Sequence, residues 1–134
     1  MATVIKTIPV QETPEAVWDA LRDVGAVHTR IAPGFVTATE LVPGGRRLTF
    51  ANGQTITETI ITVDDQHHRL VWSTQGNVTT HYNASAEVTM DEDGGSIVTW
   101  TADFLPDSAA ATVDGLMTGV AQALVRTFEL VEES

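Results

Sequence analysis

One carboxylate in the chain is placed where it could do chemistry. Glu58 lies in Ile56-Thr57-Glu58-Thr59-Ile60, an alternation that fits a strand with one apolar face. In the same phase stand Leu70, Trp72 and Thr74, then Tyr82, Ala84, Ala86 and Val88, then Val98, Trp100, Ala102 and Phe104. Register couples neighbouring strands, so this even-numbered set reads as the face turned to the core. A carboxylate there is costly unless it is paired. Either Glu58 is a structural charge, paired with Arg46 or the Tyr82 hydroxyl, or it lines a pocket. In a pocket it would act as a ligand anchor or as a general acid or base.

Other reactive side chains give weaker signals. His81 and Asn83 fall in the opposite phase of their strand, the face assigned to solvent. A bulge near Asn83 would turn both inward opposite Glu58, which makes His81 the alternative proton-transfer residue. His28 is placed to reach a pocket mouth, and His67-His68 reads as a solvated turn. The four histidines show no metal-ligand spacing beyond that adjacent pair, so no metal is expected. The absence of cysteine excludes disulfides, thiolate nucleophiles and Fe–S clusters. Pro43-Gly44-Gly45 and Gly94-Gly95 read as hairpin turns rather than phosphate loops, and Ser85 has no nucleophile elbow. No cofactor is expected.

The elements that would position these residues follow from the pattern. Residues 3–10 read as a strand. Thr13-Pro14-Glu15 opens a helix, with Thr as N-cap and Pro at the first helical position. Val24 to Ile31 reads as a second short helix, stopped by Pro33-Gly34. Strands are expected at about 35–41, 46–51, 54–63, 68–75, 80–90 and 96–104, separated by turns that include Asn52-Gly53 and Gly76-Asn77. A long helix fills about 107–132, with Val113, Leu116, Met117, Val120, Leu124, Phe128 and Val131 on one stripe. Short turns make the sheet antiparallel, and one of its faces is left for the helix to cover: an α+β arrangement. Ala111, Gly115, Gly119 and Ala123 recur along the helix. Glycine inside a helix costs roughly 1 kcal/mol against alanine, so Gly115 and Gly119 make room either for close packing or for something else.

A chain of 134 residues is expected to form one domain, 1–134. Its net charge of −11 disfavours nucleic acid and anionic membrane surfaces as partners. No apolar run approaches membrane-spanning length. The first residues lack a signal-peptide pattern, and a cytoplasmic location is expected. Oligomeric state is not legible.

The whole chain resembles the START-like superfamily, also called SRPBCC, in its polyketide cyclase/dehydrase-like branch. The resemblance is carried by Ile8-Pro9-Val10, Thr13-Pro14-Glu15-Ala16-Val17-Trp18, Glu58-Thr59-Ile60, Arg69-Leu70-Val71-Trp72, His81-Tyr82-Asn83-Ala84-Ser85 and Val98-Thr99-Trp100 before the long helix. It implies a helix-grip (Bet v 1/START-like) fold: a curved antiparallel sheet of about seven strands around a C-terminal helix, with two short helices after the first strand. It also implies a hydrophobic cavity for a lipid-, quinone- or polyketide-like ligand. Trp100 falls where members place a cavity aromatic, and Glu58 on a strand whose alternate residues line the cavity.

The expected ligand-contacting set is Glu58, Trp72, Tyr82, Asn83, Trp100, Phe104, Leu116 and Val120. Three functions are open. A carrier or sensor would bind a small hydrophobic molecule without chemistry. A metal-free cyclase, dehydratase or isomerase would use Glu58 for proton transfer, with a second polar group across the pocket. A protein-binding module would need a large exposed apolar patch. One geometric expectation is sharp. A two-residue Asn52-Gly53 hairpin would put Phe50 out of phase with Ile56. A three-residue loop, Ala51-Asn52-Gly53, restores the phase and sets Arg46 opposite Glu58.

Overall fold

A computed structural model describes residues 1–75 and 78–133, with side chains up to Glu129 except that of Gln75. The expected Gly76-Asn77 turn and the Val131 side chain lie outside them. The elements in order are β1 (Ala2–Val10), α1 (Pro14–Arg22), a π-helical turn (Val27–Ile31), β2 (Val36–Val42), β3 (Gly45–Phe50), β4 (Thr55–Asp64), β5 (Arg69–Gln75), β6 (His81–Met90), β7 (Ser96–Leu105) and α2 (Ala110–Glu133). The seven strands form one sheet in the order β1-β7-β6-β5-β4-β3-β2. Each neighbouring pair is antiparallel. β1 crosses over to pair with β7, and the other strands form a meander of short turns.

The even-numbered face is the inner one. Tyr82, Ala84, Ala86 and Val88 of β6 and Val98, Trp100, Ala102 and Phe104 of β7 are all buried. From α2, Val113, Met117, Leu124 and Phe128 pack into the same core. In β4 the register against β5 shifts between Ile60 and Thr62, as at a β-bulge. Ile61 is exposed there, on the outward odd-numbered phase that β4 keeps across the shift.

The β3–β4 hairpin closes with the three-residue loop. The Phe50 amide donates to the Gln54 carbonyl (2.8 Å), and Gly53, with φ of +88°, donates to the Phe50 carbonyl (2.9 Å). Leu48 therefore faces Ile56, and Arg46 faces Glu58. Apolar phasing outweighed the two-residue turn preference because the shorter loop would have turned one strand's apolar side chains to solvent.

α1 starts as its sequence dictates. The Thr13 hydroxyl accepts from the Ala16 amide at 3.3 Å, with Pro14 at the first position; such a cap contributes about 1 kcal/mol. Val17, Trp18 and Leu21 are buried beneath it. The Trp18 Nε1 donates to Asp65 at 2.9 Å and the Arg22 Nε to the same carboxylate at 2.8 Å, which ties α1 to the β4–β5 turn. Arg22 first, and Trp18 second, hold the Asp65 carboxyl below the usual carboxylate range. A depressed value means that this stabilisation is present above the unfolded value of about 3.9 and is lost as pH falls through the folded one. Asp65→Asn should therefore flatten the acid limb of the Tm-versus-pH curve and leave the alkaline limb unchanged, as thermal melts from pH 7 down to 2 will show. An acid limb of unaltered slope would remove Asp65 from the account. The expectation that both turn histidines are solvated holds for His67, which is exposed and pairs with Asp64. It fails for His68, which is half-buried at φ +50° and stacks on Trp18 with ring centroids 5.6 Å apart.

Candidate functional site: a cavity between sheet and helix

A cavity of about 500 Å³ lies between the concave face of the sheet and α2. Trp72, Tyr82 and Trp100 supply aromatic wall from three adjacent strands, and Leu116 and Val120 close it from the helix. Its surface is mostly aliphatic and aromatic, as in small-molecule pockets of this size. The rim is formed by the Phe35 loop, the β3–β4 loop, Val78 and Thr79, and the first turns of α2 at Thr112 and Gly115.

Two charged side chains are set into this wall. The Arg46 Nε donates to Glu58 Oε1 at 2.7 Å, with both side chains almost fully buried (7% and 10% exposed). The pair is cross-strand, fixed by the hairpin register. The Arg46 Nη1 also donates to the Val24 carbonyl at 3.4 Å, and the guanidinium lies over the Trp72 ring, 5.6 Å from its centroid. Arg46 is thus anchored by an anion, a carbonyl and an aromatic face. Its pairing with Glu58 is the structural-charge alternative among those left open by the sequence. Tyr82 lies deep in the wall. Burial first, and the Glu58 charge second, push its phenol well above the usual range, so it presents a protonated hydroxyl at any physiological pH. Trp72 and Trp100 pack with centroids 6.0 Å apart, and neither indole N–H has a hydrogen-bond partner.

Of the residues expected at the site, Glu58, Trp72, Tyr82, Trp100, Leu116 and Val120 line the cavity. Three do not. His81 is exposed and Asn83 lies opposite Asp103 in unbroken register with β7, so the bulge that would have turned them inward is absent there. Both project from the convex face, away from Glu58. Phe104 is completely buried but sits behind the wall, stacked on Tyr82 at 6.3 Å, and supports it rather than lining the cavity. His28 is held by Thr39, its Nδ1 2.9 Å from the hydroxyl, and does not reach the mouth. Among the described residues no three His, Asp or Glu side chains gather as they would around a metal ion.

Residue types alone did not point to Phe35, Thr79 or Thr112 as rim residues, because they come from two separate connections and the start of α2. Phe35 had a signal in the helix glycines. A Cβ on Gly119 would lie 2.4 Å from the Phe35 ring, which fills the notch the glycine leaves, whereas a Cβ on Gly115 would meet nothing within 4 Å. One glycine thus serves packing and the other faces open space at the cavity. Gly115→Ala is expected to raise stability by about 0.5–1 kcal/mol through helix propensity. Gly119→Ala gains the same term but must displace a ring, and overpacking of this kind costs about 1–3 kcal/mol. Urea unfolding of the two variants should shift in opposite directions; equal shifts would deny the notch.

Sequence and structure comparisons bear on this arrangement. The family described as polyketide cyclase / dehydrase and lipid transport matches residues 1–129. No curated protein matches the chain in sequence. Among solved structures, the protein XoxI from Bacillus cereus superposes with a TM-score of 0.87 at 20% identity, covering 98% of this chain and 99% of that one. Norcoclaurine synthase from Thalictrum flavum, solved as a point mutant with a transition-state analogue, gives 0.73 at 17% identity, with 99% and 96% covered. Ara h 8.0201 gives 0.71 at 17% identity, with 92% and 94% covered. At these identities the likeness shows the fold, which is the helix-grip fold of Bet v 1-like proteins. No helix of the described residues is long and apolar enough to cross a membrane. The family and the fold support a hydrophobic-ligand-binding role in general terms. With the match running through both walls of the cavity, the chain belongs to the polyketide cyclase/dehydrase and lipid transport family, within the START-like (SRPBCC) superfamily.

Proposed function

We propose that the protein binds one small hydrophobic molecule in the cavity between sheet and α2, as a carrier or sensor. The observation that supports this reading is the cavity: about 500 Å³, walled by Trp72, Trp100, Leu116 and Val120, with its one ion pair already closed on itself. Burying an apolar ligand there gains about 25 cal/mol for each Å² removed from water. The Arg46 contact favours carriage over catalysis. A general acid or base must be free to meet the proton it transfers, and Glu58 Oε1 is already occupied by the Arg46 Nε at 2.7 Å. The alternative, a cyclase or dehydratase using Glu58, requires the pair to open during turnover.

The neutral dye N-phenyl-1-naphthylamine tests the proposal. Titration should give one saturable site per chain with blue-shifted emission and micromolar affinity, and excitation of the protein at 290 nm should sensitise the dye through the wall tryptophans. A dye that stays in water at saturating protein would count against a binding cavity.

A further inference from the structure

The charged lining of the cavity, among the described residues, consists of Arg46 and Glu58. They are paired one to one at 2.7 Å and buried, so the cavity carries no net charge. Its hydrogen-bonding capacity is less even. The Arg46 Nη2 has no partner among the described residues, since the bonds of this guanidinium run from Nε and Nη1. The Tyr82 hydroxyl keeps its proton. The indole N–H groups of Trp72 and Trp100 are unpaired but covered by protein atoms, so they are not offered to the cavity. Beside Glu58 the donors offered to a ligand are therefore the free edge of Arg46 and the Tyr82 hydroxyl, with Glu58 Oε2 as the charged acceptor. Unpaired buried donors cost free energy that an acceptor on a ligand restores.

We propose that Glu58 sets the charge of the ligand: by neutralising Arg46 it makes the cavity a site for an uncharged apolar molecule carrying a carbonyl-type acceptor, and bars the matching carboxylate. The proposal rests on the cavity being a binding site. An anionic head placed against the free edge of Arg46 would also lie beside Glu58. In a water-poor site their repulsion is strong, and no uncompensated cation offsets it. The net charge of −11 works in the same direction at longer range. A ketone or quinone oxygen accepts the same hydrogen bonds without bringing a second negative charge. Removing the Glu58 charge alone would leave Arg46 as a buried, uncompensated cation, which is an anion site.

Three isosteric probes decide this by titration calorimetry at pH 7: 2-acetylnaphthalene (neutral), 2-naphthoate (anionic) and 2-(aminomethyl)naphthalene (cationic). The wild-type protein should bind the ketone at least ten-fold tighter than either ion. In Glu58→Gln naphthoate should bind at least ten-fold tighter than it does to wild type. An unchanged naphthoate affinity in a folded Glu58→Gln protein would overturn the proposal. So would a wild-type protein that takes up either ion as tightly as the ketone, a result that does not require the variant to fold. Both of those results leave the cavity reading standing. If the wild-type protein binds none of the three probes, the cavity reading fails and the charge rule falls with it.

Discussion

Arg46→Met is expected to destabilise the protein by about 3–5 kcal/mol, because it strands a carboxylate in the wall of the cavity. Glu58 keeps its buried position in β4 whatever stands opposite, since Leu48 against Ile56 and the Ala51-Asn52-Gly53 loop fix the register without help from the ion pair. A loss of that size is a large share of the roughly 5–15 kcal/mol typical of a whole domain. The double variant Arg46→Met/Glu58→Met separates a buried charge from a packing defect. Apolar replacement of both members of such a pair is often neutral or stabilising, so the double variant should recover to within about 1 kcal/mol of wild type or exceed it. Urea unfolding of the wild type, both singles and the double gives the coupling directly. A double variant as unstable as Arg46→Met would mean that Arg46 acts mainly through the Trp72 face and the Val24 carbonyl.

Leu116→Trp is expected to abolish ligand binding with little effect on stability. Leu116 is half-buried on the cavity side of α2, one turn from Val120 and beside the open space at Gly115. An indole at that position extends into the cavity rather than into packed core, which limits the strain that small-to-large changes cause elsewhere. It also takes volume from a cavity of about 500 Å³ at the end nearest the rim. The affinity for N-phenyl-1-naphthylamine should fall at least a hundred-fold, about 2.7 kcal/mol, with a Tm within a few degrees of wild type. Dye binding that survives in a folded Leu116→Trp protein would place the ligand outside the cavity.

Much of this arrangement was legible in the residues because it depends on period and phase. Alternation in Tyr82-Ala84-Ala86-Val88 and Val98-Trp100-Ala102-Phe104 identified the inner face. Matching that face across one hairpin was enough to choose a loop length and to bring Arg46 to Glu58. What alternation could not distinguish was lining from backing. Trp100 and Phe104 share a face of the same strand, but the first borders the cavity and the second is completely buried behind Tyr82. That difference depends on the curvature of the sheet and the position of α2, which no local pattern carries. The bulge followed the same limit. One was considered near Asn83, and the register shifts instead between Val36 and Ala38 and between Ile60 and Thr62, the latter where the sequence carries no glycine to mark it. The rim was the least visible part, since Phe35, Thr79 and Thr112 are gathered from two connections and the first turn of α2. His68 was misread because its stacking partner, Trp18, lies fifty residues earlier in the chain.

The three tryptophans offer the most direct test of the central claim, because two border the cavity and one does not. The Trp72 and Trp100 indole N–H groups are unpaired in the cavity wall, while that of Trp18 is bonded to Asp65 beneath α1. In a ¹H–¹⁵N spectrum of the labelled protein these groups give three separate indole signals, assignable by single Trp→Phe substitutions. Titration with N-phenyl-1-naphthylamine to saturation should shift the Trp72 and Trp100 signals together, with one dissociation constant, and leave the Trp18 signal in place. Movement of Trp18 alone, or a saturated complex in which neither cavity tryptophan responds, would contradict binding between sheet and helix.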